Sequence, residues 1–281
     1  MTDPVVTTEL VGRLIADQFP QWAALPIQPV AQSGWDNRTF HLGPAMSVRL
    51  PSAARYAAQV AKEQRWLPHI ARHVPLPITS PVAAGRPGCG YPFGWSVMTW
   101  LPGKTLTDEP VAADLADFLR ALHRVPTKGG PLPGAHNFHR GGDLRIYDQE
   151  LRHSLDQLGA NVDAEAVMRI WSRACTSTWH HTPVWLHGDV APGNLLTDGR
   201  KLSAVIDFGS CGIGDPACDL TIAWTSFRGA ERATFKDRLA LDPDTWTRAK
   251  GWALWKAALE ACKGSPDGYR VITEVIGDNG R

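Results

Sequence analysis

Two short apolar runs, each ending in a cluster of polar residues and glycines, constrain this chain more than any other feature. Val184-Trp185-Leu186 leads into His187-Gly188-Asp189-Val190-Ala191-Pro192-Gly193-Asn194, and Leu202-Ser203-Ala204-Val205-Ile206 leads into Asp207-Phe208-Gly209. Short apolar runs bounded by turn residues read as buried strands. Asp207 therefore projects from the end of a rigid support, while Asp189 and Asn194 share one loop. Asp207 follows Asp189 by 18 residues, and the expectation is that both carboxylates face one cleft.

The rest of the chain supplies elements of two kinds. Residues 5–18 carry apolar positions at helical spacing, Thr39–Leu42 and Met46–Leu50 read as two strands around Gly43-Pro44, and residues 53–72 read as a helix stopped near Val74-Pro75. A proline-rich stretch over 75–87 precedes another strand at Trp95–Trp100. Beyond it the pattern turns helical, over 110–124, more weakly 143–158, then 163–181, 216–230 and 243–262, with one more helix before a polar tail. The expected fold is α+β and two-lobed: a small antiparallel-sheet lobe with a leading helix over residues 1–99, and a mostly helical lobe over 100–281.

Composition removes several functions. With 29 basic and 28 acidic residues the formal net charge is +1, and no basic stripe or acidic tail is present, so nucleic acid is not an expected partner. No apolar stretch is long enough for a membrane span, and no signal peptide is recognisable. The five cysteines are scattered without a CxxC pair, which argues against a disulfide framework or zinc site and for a cytoplasmic location. His180-His181 and the pair His136 and His139 lack a third ligand at convincing spacing, and no GxSxG elbow surrounds Ser210 and Cys211.

Phosphoryl transfer needs a carboxylate to orient the attacking hydroxyl, hard oxygen ligands for Mg²⁺, and positive charge for the phosphate oxygens. The loop from His187 to Asn194 and the strand end at Asp207 carry the first two. HGDxxxxN followed by IDFG, with Gly214-Asp215-Pro216-Ala217-Cys218-Asp219-Leu220 downstream, resembles the aminoglycoside phosphotransferase family, protein-kinase-like kinases of antibiotics and other small molecules. The resemblance extends over nearly the whole chain in element order and is sharp over 184–220.

That resemblance implies a two-lobed protein-kinase-like fold and a small-molecule O-phosphotransferase. It moves the γ-phosphoryl of ATP or GTP, with Mg²⁺, to a hydroxyl of an aminoglycoside, a macrolide or a related metabolite. Asp189 is then the base, Asn194 and Asp207 bind the metal, His187 braces the loop, and Asp215 and Asp219 are structural. Arg49 stands where a strand lysine is usual and would hold the nucleotide phosphates, with Glu63 as its helix partner and Arg38 as the alternative cation. Gly34, in the turn Ser33-Gly34-Trp35-Asp36-Asn37, lies where a phosphate-covering loop belongs. Met98 and Trp100 lie at the interlobe hinge, where backbone groups would bond the base. The chain would act as a monomer or homodimer.

Two other classes stay open at this level. A nucleotide-binding pseudokinase serving as a regulatory module conflicts with the presence of Asp189, Asn194 and Asp207. A protein kinase conflicts with HGD and with the short segment between Asp207 and Asp219. The acceptor wall is ambiguous: Asp215, Asp237, Asp242, Asp244 and Glu260 are interleaved with basic residues, and Trp224, Phe227, Trp246, Trp252 and Trp255 make the region aromatic.

Overall fold

A computed structural model describes residues 3–31 and 34–278. The amino-terminal part opens with α1 (Thr8–Gln18), capped where Thr7 Oγ1 accepts from the Leu10 N–H at 3.2 Å. Strands β1 (Ile27–Pro29), β2 (Asn37–Leu42) and β3 (Met46–Pro51) follow, then α2 (Ala57–Ile70), β4 (Pro81–Gly85) and β5 (Trp95–Thr99). These strands form one antiparallel sheet in the order β1-β2-β3-β5-β4.

Side-chain alternation decides what this sheet can do. On β3, Val48 and Leu50 point to the face covered by α1, where they pack with Leu10, Val11, Leu14, Ile15, Trp95 and Val97. Ser47 and Arg49 point to the opposite face, opposite His41 and Thr39 of β2. All four of these last residues line one cleft.

The second part contains β6 (Lys104–Thr105), α3 (Ala112–Leu122), α4 (Asp148–Leu158), α5 (Ala164–Thr176), β7 (Val184–Leu186), β8 (Leu195–Asp198), β9 (Lys201–Val205) and β10 (Gly212–Gly214). It ends with α6 (Ile222–Thr225), α7 (Gly229–Leu239), α8 (Pro243–Cys262) and α9 (Pro266–Gly277). Helix α8 is the central post, packing against α4, α5 and α9. Trp171, Trp185, Trp224 and Trp252 are fully buried in this core. Burial on this scale is the main stabilising contribution, at roughly 25 cal/mol per Å² of apolar surface. No described helix is long and apolar enough to cross a membrane.

Several expected elements differ. β1, β4 and β8 fall in stretches without a strand pattern, because each is short and held by its neighbours rather than by its own alternation. The helix expected over 216–230 is a 3₁₀ turn, Pro216–Thr221, and one turn of α6. Asp215 caps it by accepting the Ala217 N–H at 3.1 Å, and the segment bends to bring Asp219 under the loop that holds Asp189. The helix read over 163–181 stops at Thr176.

Candidate active site

The cleft between the two parts is a cavity of about 870 Å³. Gly34, Arg49, Trp100, Asp189, Asn194 and Asp207 all line it, so six of the eight residues expected at the site come together there. Glu63 stands one shell back as the partner of Arg49. Ser33 lies outside the described residues.

Arg49 is the hinge of the arrangement. Its Nη1 donates to Glu63 Oε1 at 2.9 Å and its Nη2 to Asp207 Oδ1 at 2.8 Å. Glu63 is on α2 and almost fully buried. Burial opposes the guanidinium charge, but the two carboxylates outweigh it and hold Arg49 protonated. Asp207 itself sits at φ 62°, ψ 68°, a left-handed conformation uncommon for a residue with a side chain. The conformation turns its carboxylate into the cleft, with Oδ2 toward Gly34. Such backbone geometry typically costs about 1 kcal/mol or more and concentrates at functional sites.

The loop carrying Asp189 is braced from below. Asp219, fully buried, accepts the His187 N–H and the Gly188 N–H, both at 2.7 Å. Arg140 Nε donates to the Gly188 carbonyl at 3.1 Å. His187 Nδ1 accepts the Asp189 N–H at 3.1 Å, so its Nε2 carries the proton and donates to the Ile206 carbonyl at 2.9 Å. One imidazole thus ties the Asp189 loop to the strand end that carries Asp207. Gly188 has φ 86°, and a Cβ there would lie 2.3 Å from the Ser210 carbonyl oxygen. That close approach is why the motif has glycine between His187 and Asp189.

Asp189 faces two partners. Lys256 Nζ on α8 donates to its Oδ1 at 2.8 Å, and Asn194 Nδ2 donates to its backbone oxygen at 2.9 Å. Burial raises its pKa and the ion pair with Lys256 lowers it; the ion pair prevails and brings the pKa down to about 2. With its NH₂ group committed to Asp189, Asn194 turns its carbonyl oxygen the other way. Asn194 and Asp207 supply oxygen donors to one cavity, the chemistry Mg²⁺ requires when phosphates complete its shell.

Three expectations are corrected. Met98 does not reach the cleft: on β5 it alternates with Val97 and is buried against Leu67, Ile70 and Ile78. Thr99 and Trp100 line the cavity instead. The Trp100 N–H is committed to the Ala45 carbonyl at 2.8 Å, so Trp100 presents its ring, beside His41, to the cavity rather than its amide N–H. Arg38, the alternative cation, is exposed and points away, donating to the Gly34 carbonyl at 3.4 Å.

The motifs did not disclose Lys256, Arg140 or Asp36. Asp36 lines the cavity, accepts from Gln59 Nε2 at 2.9 Å, and has a raised pKa because of burial and the nearby Asp207 and Asp189. Asp36 lies within the turn around Gly34, which was the available signal. Lys256 lies within the helix read over 243–262 and Arg140 in a loop, and no motif surrounds either residue. Of the aromatic residues considered for the acceptor wall, Trp224, Phe227, Trp246, Trp252 and Trp255 are all buried in the helical core.

A small antiparallel lobe and a helical lobe closing on a cleft with Arg49, Asp189, Asn194 and Asp207 define the protein-kinase-like class of fold. The chain belongs to the phosphotransferase enzyme family, whose model matches residues 27–252. It is similar to the aminoglycoside 3′-phosphotransferase of Salmonella typhimurium, with 30% identity over 145 residues, 46% of this chain and 51% of the relative. The Escherichia coli protein of the same name matches to the same extent. The matched region spans about half the length of these curated relatives. Among solved structures, the GDP complex of wild-type aminoglycoside 2′-phosphotransferase-IIIa shares the fold with a TM-score of 0.73 at 19% identity, over 98% of this chain and 100% of that one. The apoenzyme of a macrolide 2′-phosphotransferase from Brachybacterium faecium gives 0.62 at 19% identity, over 98% of each chain.

Proposed function

We propose that this protein is a small-molecule O-phosphotransferase that moves the γ-phosphoryl group of ATP or GTP to a hydroxyl of an antibiotic or a related metabolite. The observation that carries the reading is the convergence of Arg49, Asp189, Asn194 and Asp207 on one cavity. Arg49, its fork fixed by Glu63, would hold the α- and β-phosphates. Gly34 and its turn would cover them, and Thr99 and Trp100 would wall the base. Asp207 and Asn194 would hold Mg²⁺, which supplies charge neutralisation and orientation of the phosphates when bound. Asp189, ionised down to about pH 2, would align the acceptor hydroxyl and take its proton as the new bond to phosphorus forms.

The charge pattern favours an acceptor of low positive charge, of macrolide rather than aminoglycoside type. A polycation needs several available carboxylates, yet Asp215 pairs with Arg248 at 2.6 Å, Glu260 with Lys263 at 2.7 Å, and Asp242 caps α8 through Thr245. The division into lobes falls at about Thr99, where the sheet ends. The five cysteines are all free thiols, which suits the cytosol, and we take the protein to act as a monomer or homodimer. The decisive experiment incubates the protein with Mg²⁺ and ATP or GTP across macrolides, aminoglycosides and hydroxylated metabolites. Mass spectrometry then follows each acceptor. Gain of one phosphoryl group, absent in Asp189→Ala, is the expected result; no phosphorylated acceptor and no nucleotide turnover would refute the proposal.

A further inference from the structure

We infer that Lys256 is a catalytic residue, the cation that meets the phosphoryl group in transfer; the inference rests on the O-phosphotransferase reading above. Lys256 lies on α8, 67 residues from Asp189, and its Nζ is 2.8 Å from Asp189 Oδ1. Its side chain is 22% exposed and that of Asp189 46% exposed. Asp189 thus lines the cavity, and Lys256 stands against it, partly exposed, just outside the lining. Asn194 occupies the other side of the same carboxylate, with its Nδ2 3.4 Å from Oδ2.

Charge accounting points to this lysine. Asp36, Asp189 and Asp207 all line the cavity that would receive a triphosphate. Arg49 is shared between Glu63 and Asp207. Lys62 is buried, donating to the carbonyls of Gly209 at 2.7 Å and His136 at 3.1 Å. Arg140 is committed beneath the loop to the Gly188 carbonyl. Among the described residues, Lys256 is the cation whose ion pair with Asp189 sets it beside the attacking hydroxyl. A hydroxyl bonded to Asp189 would stand about 3–3.5 Å from the phosphorus it attacks. A lysine side chain anchored on that same carboxylate reaches the phosphoryl oxygens by rotation about its outer bonds.

The step balances without another reactant. A lone pair of the acceptor oxygen forms the bond to the γ-phosphorus. The bond from that phosphorus to the bridging oxygen breaks, its electron pair leaving on the nucleoside diphosphate, and the acceptor proton goes to Asp189. The Lys256 ammonium carries three N–H donors, of which Asp189 takes one. A second reaches a phosphoryl oxygen as negative charge gathers there, with or without an acceptor in place.

The test needs no acceptor. Calorimetry would measure the affinity of Mg²⁺ with ADP or GDP, alone and with tetrafluoroaluminate as the mimic of the phosphoryl group in transfer. Wild type, Lys256→Met, Lys256→Gln and Lys256→Arg would be compared, with thermal melts confirming that each is folded. In wild type the mimic should tighten binding. Lys256→Met and Lys256→Gln should lose at least about tenfold of that tightening, the scale of one charge-assisted hydrogen bond. Affinity for the diphosphate alone should stay within about twofold, and Lys256→Arg should keep most of the tightening. Equal tightening in all folded variants would overturn the inference while leaving the phosphotransferase reading intact. So would equal losses with and without the mimic, or no tightening in wild type. Failure of wild type to bind any nucleotide with Mg²⁺ would overturn both.

Discussion

Arg49 Nη1 on β3 lies 2.9 Å from Glu63 Oε1 on α2, and both side chains are buried. The pair fixes the orientation of a guanidinium whose other nitrogen reaches Asp207. Arg49→Ala should raise KM for the nucleotide far more than KM for the acceptor, and Glu63→Ala should do the same by releasing the fork. The double variant should be little worse than Arg49→Ala, because the two act as one unit. Arg49→Lys should recover only part of the activity, since an ammonium cannot span both carboxylates as the planar fork does. Steady-state kinetics with varied nucleotide reads all four; additive losses would separate the pair.

Asp189→Ala should lower kcat by at least about 10²-fold, the scale of removing a general base. Nucleotide affinity should barely change, because Asp189 addresses the acceptor. Calorimetry beside kinetics distinguishes this from a loss of folding. A strong loss of nucleotide affinity would move Asp189 out of the acceptor site.

Asp207→Ala should weaken Mg²⁺–nucleotide binding as well as catalysis, and Asn194→Ala should do so more mildly, as a neutral ligand of a partly hydrated ion. The informative comparison is nucleotide affinity with and without Mg²⁺. Both variants should reduce the gain that Mg²⁺ confers, and an unreduced gain in Asp207→Ala would refute the metal assignment.

Asp219→Ala removes the acceptor for two buried amides, those of His187 and Gly188. Leaving them unsatisfied should cost about 2–4 kcal/mol of stability. In the fraction that stays folded, kcat should fall while nucleotide affinity holds, because Asp219 positions the Asp189 loop and not Arg49. Urea unfolding and calorimetry together check both effects; unchanged stability would show that water or another group replaces the carboxylate.

His123 ends α3 with its Nε2 buried and unpartnered, and burial lowers its pKa to about 4 from an ordinary 6.5. The unfolded chain takes up this proton first as pH falls. The contribution to stability is thus constant above about pH 6.5, declines between 6.5 and 4, and levels off below 4. The full decline should be about 3 kcal/mol. Urea unfolding at pH 4.5 and pH 7 should show a smaller difference in His123→Leu than in wild type. An equal difference would mean that His123 finds a proton acceptor when charged.

The order of elements and most of the cleft were legible in the sequence for a local reason. His187 to Asn194 and Asp207 to Gly209 are contiguous segments, each fixed by the apolar strand before it and by glycines that tolerate close backbone approach, as Gly188 does against Ser210. Arg49 and Glu63 followed from the family resemblance, which places a cation on a strand of the small lobe and a glutamate on the helix after it. Met98 shares the sheet face of Ser47 and Arg49, and only the packing of Leu67 and Ile70 of α2 with Ile78 over it keeps it from the cavity. The tertiary structure alone brought Asp219 beneath the Asp189 loop, Arg140 to the Gly188 carbonyl, and Lys256 to Asp189. Those contacts span 31, 48 and 67 residues. No local periodicity records them, because they depend on how α8 and the turn after β10 pack against the loop, a property of the assembled core rather than of any one segment.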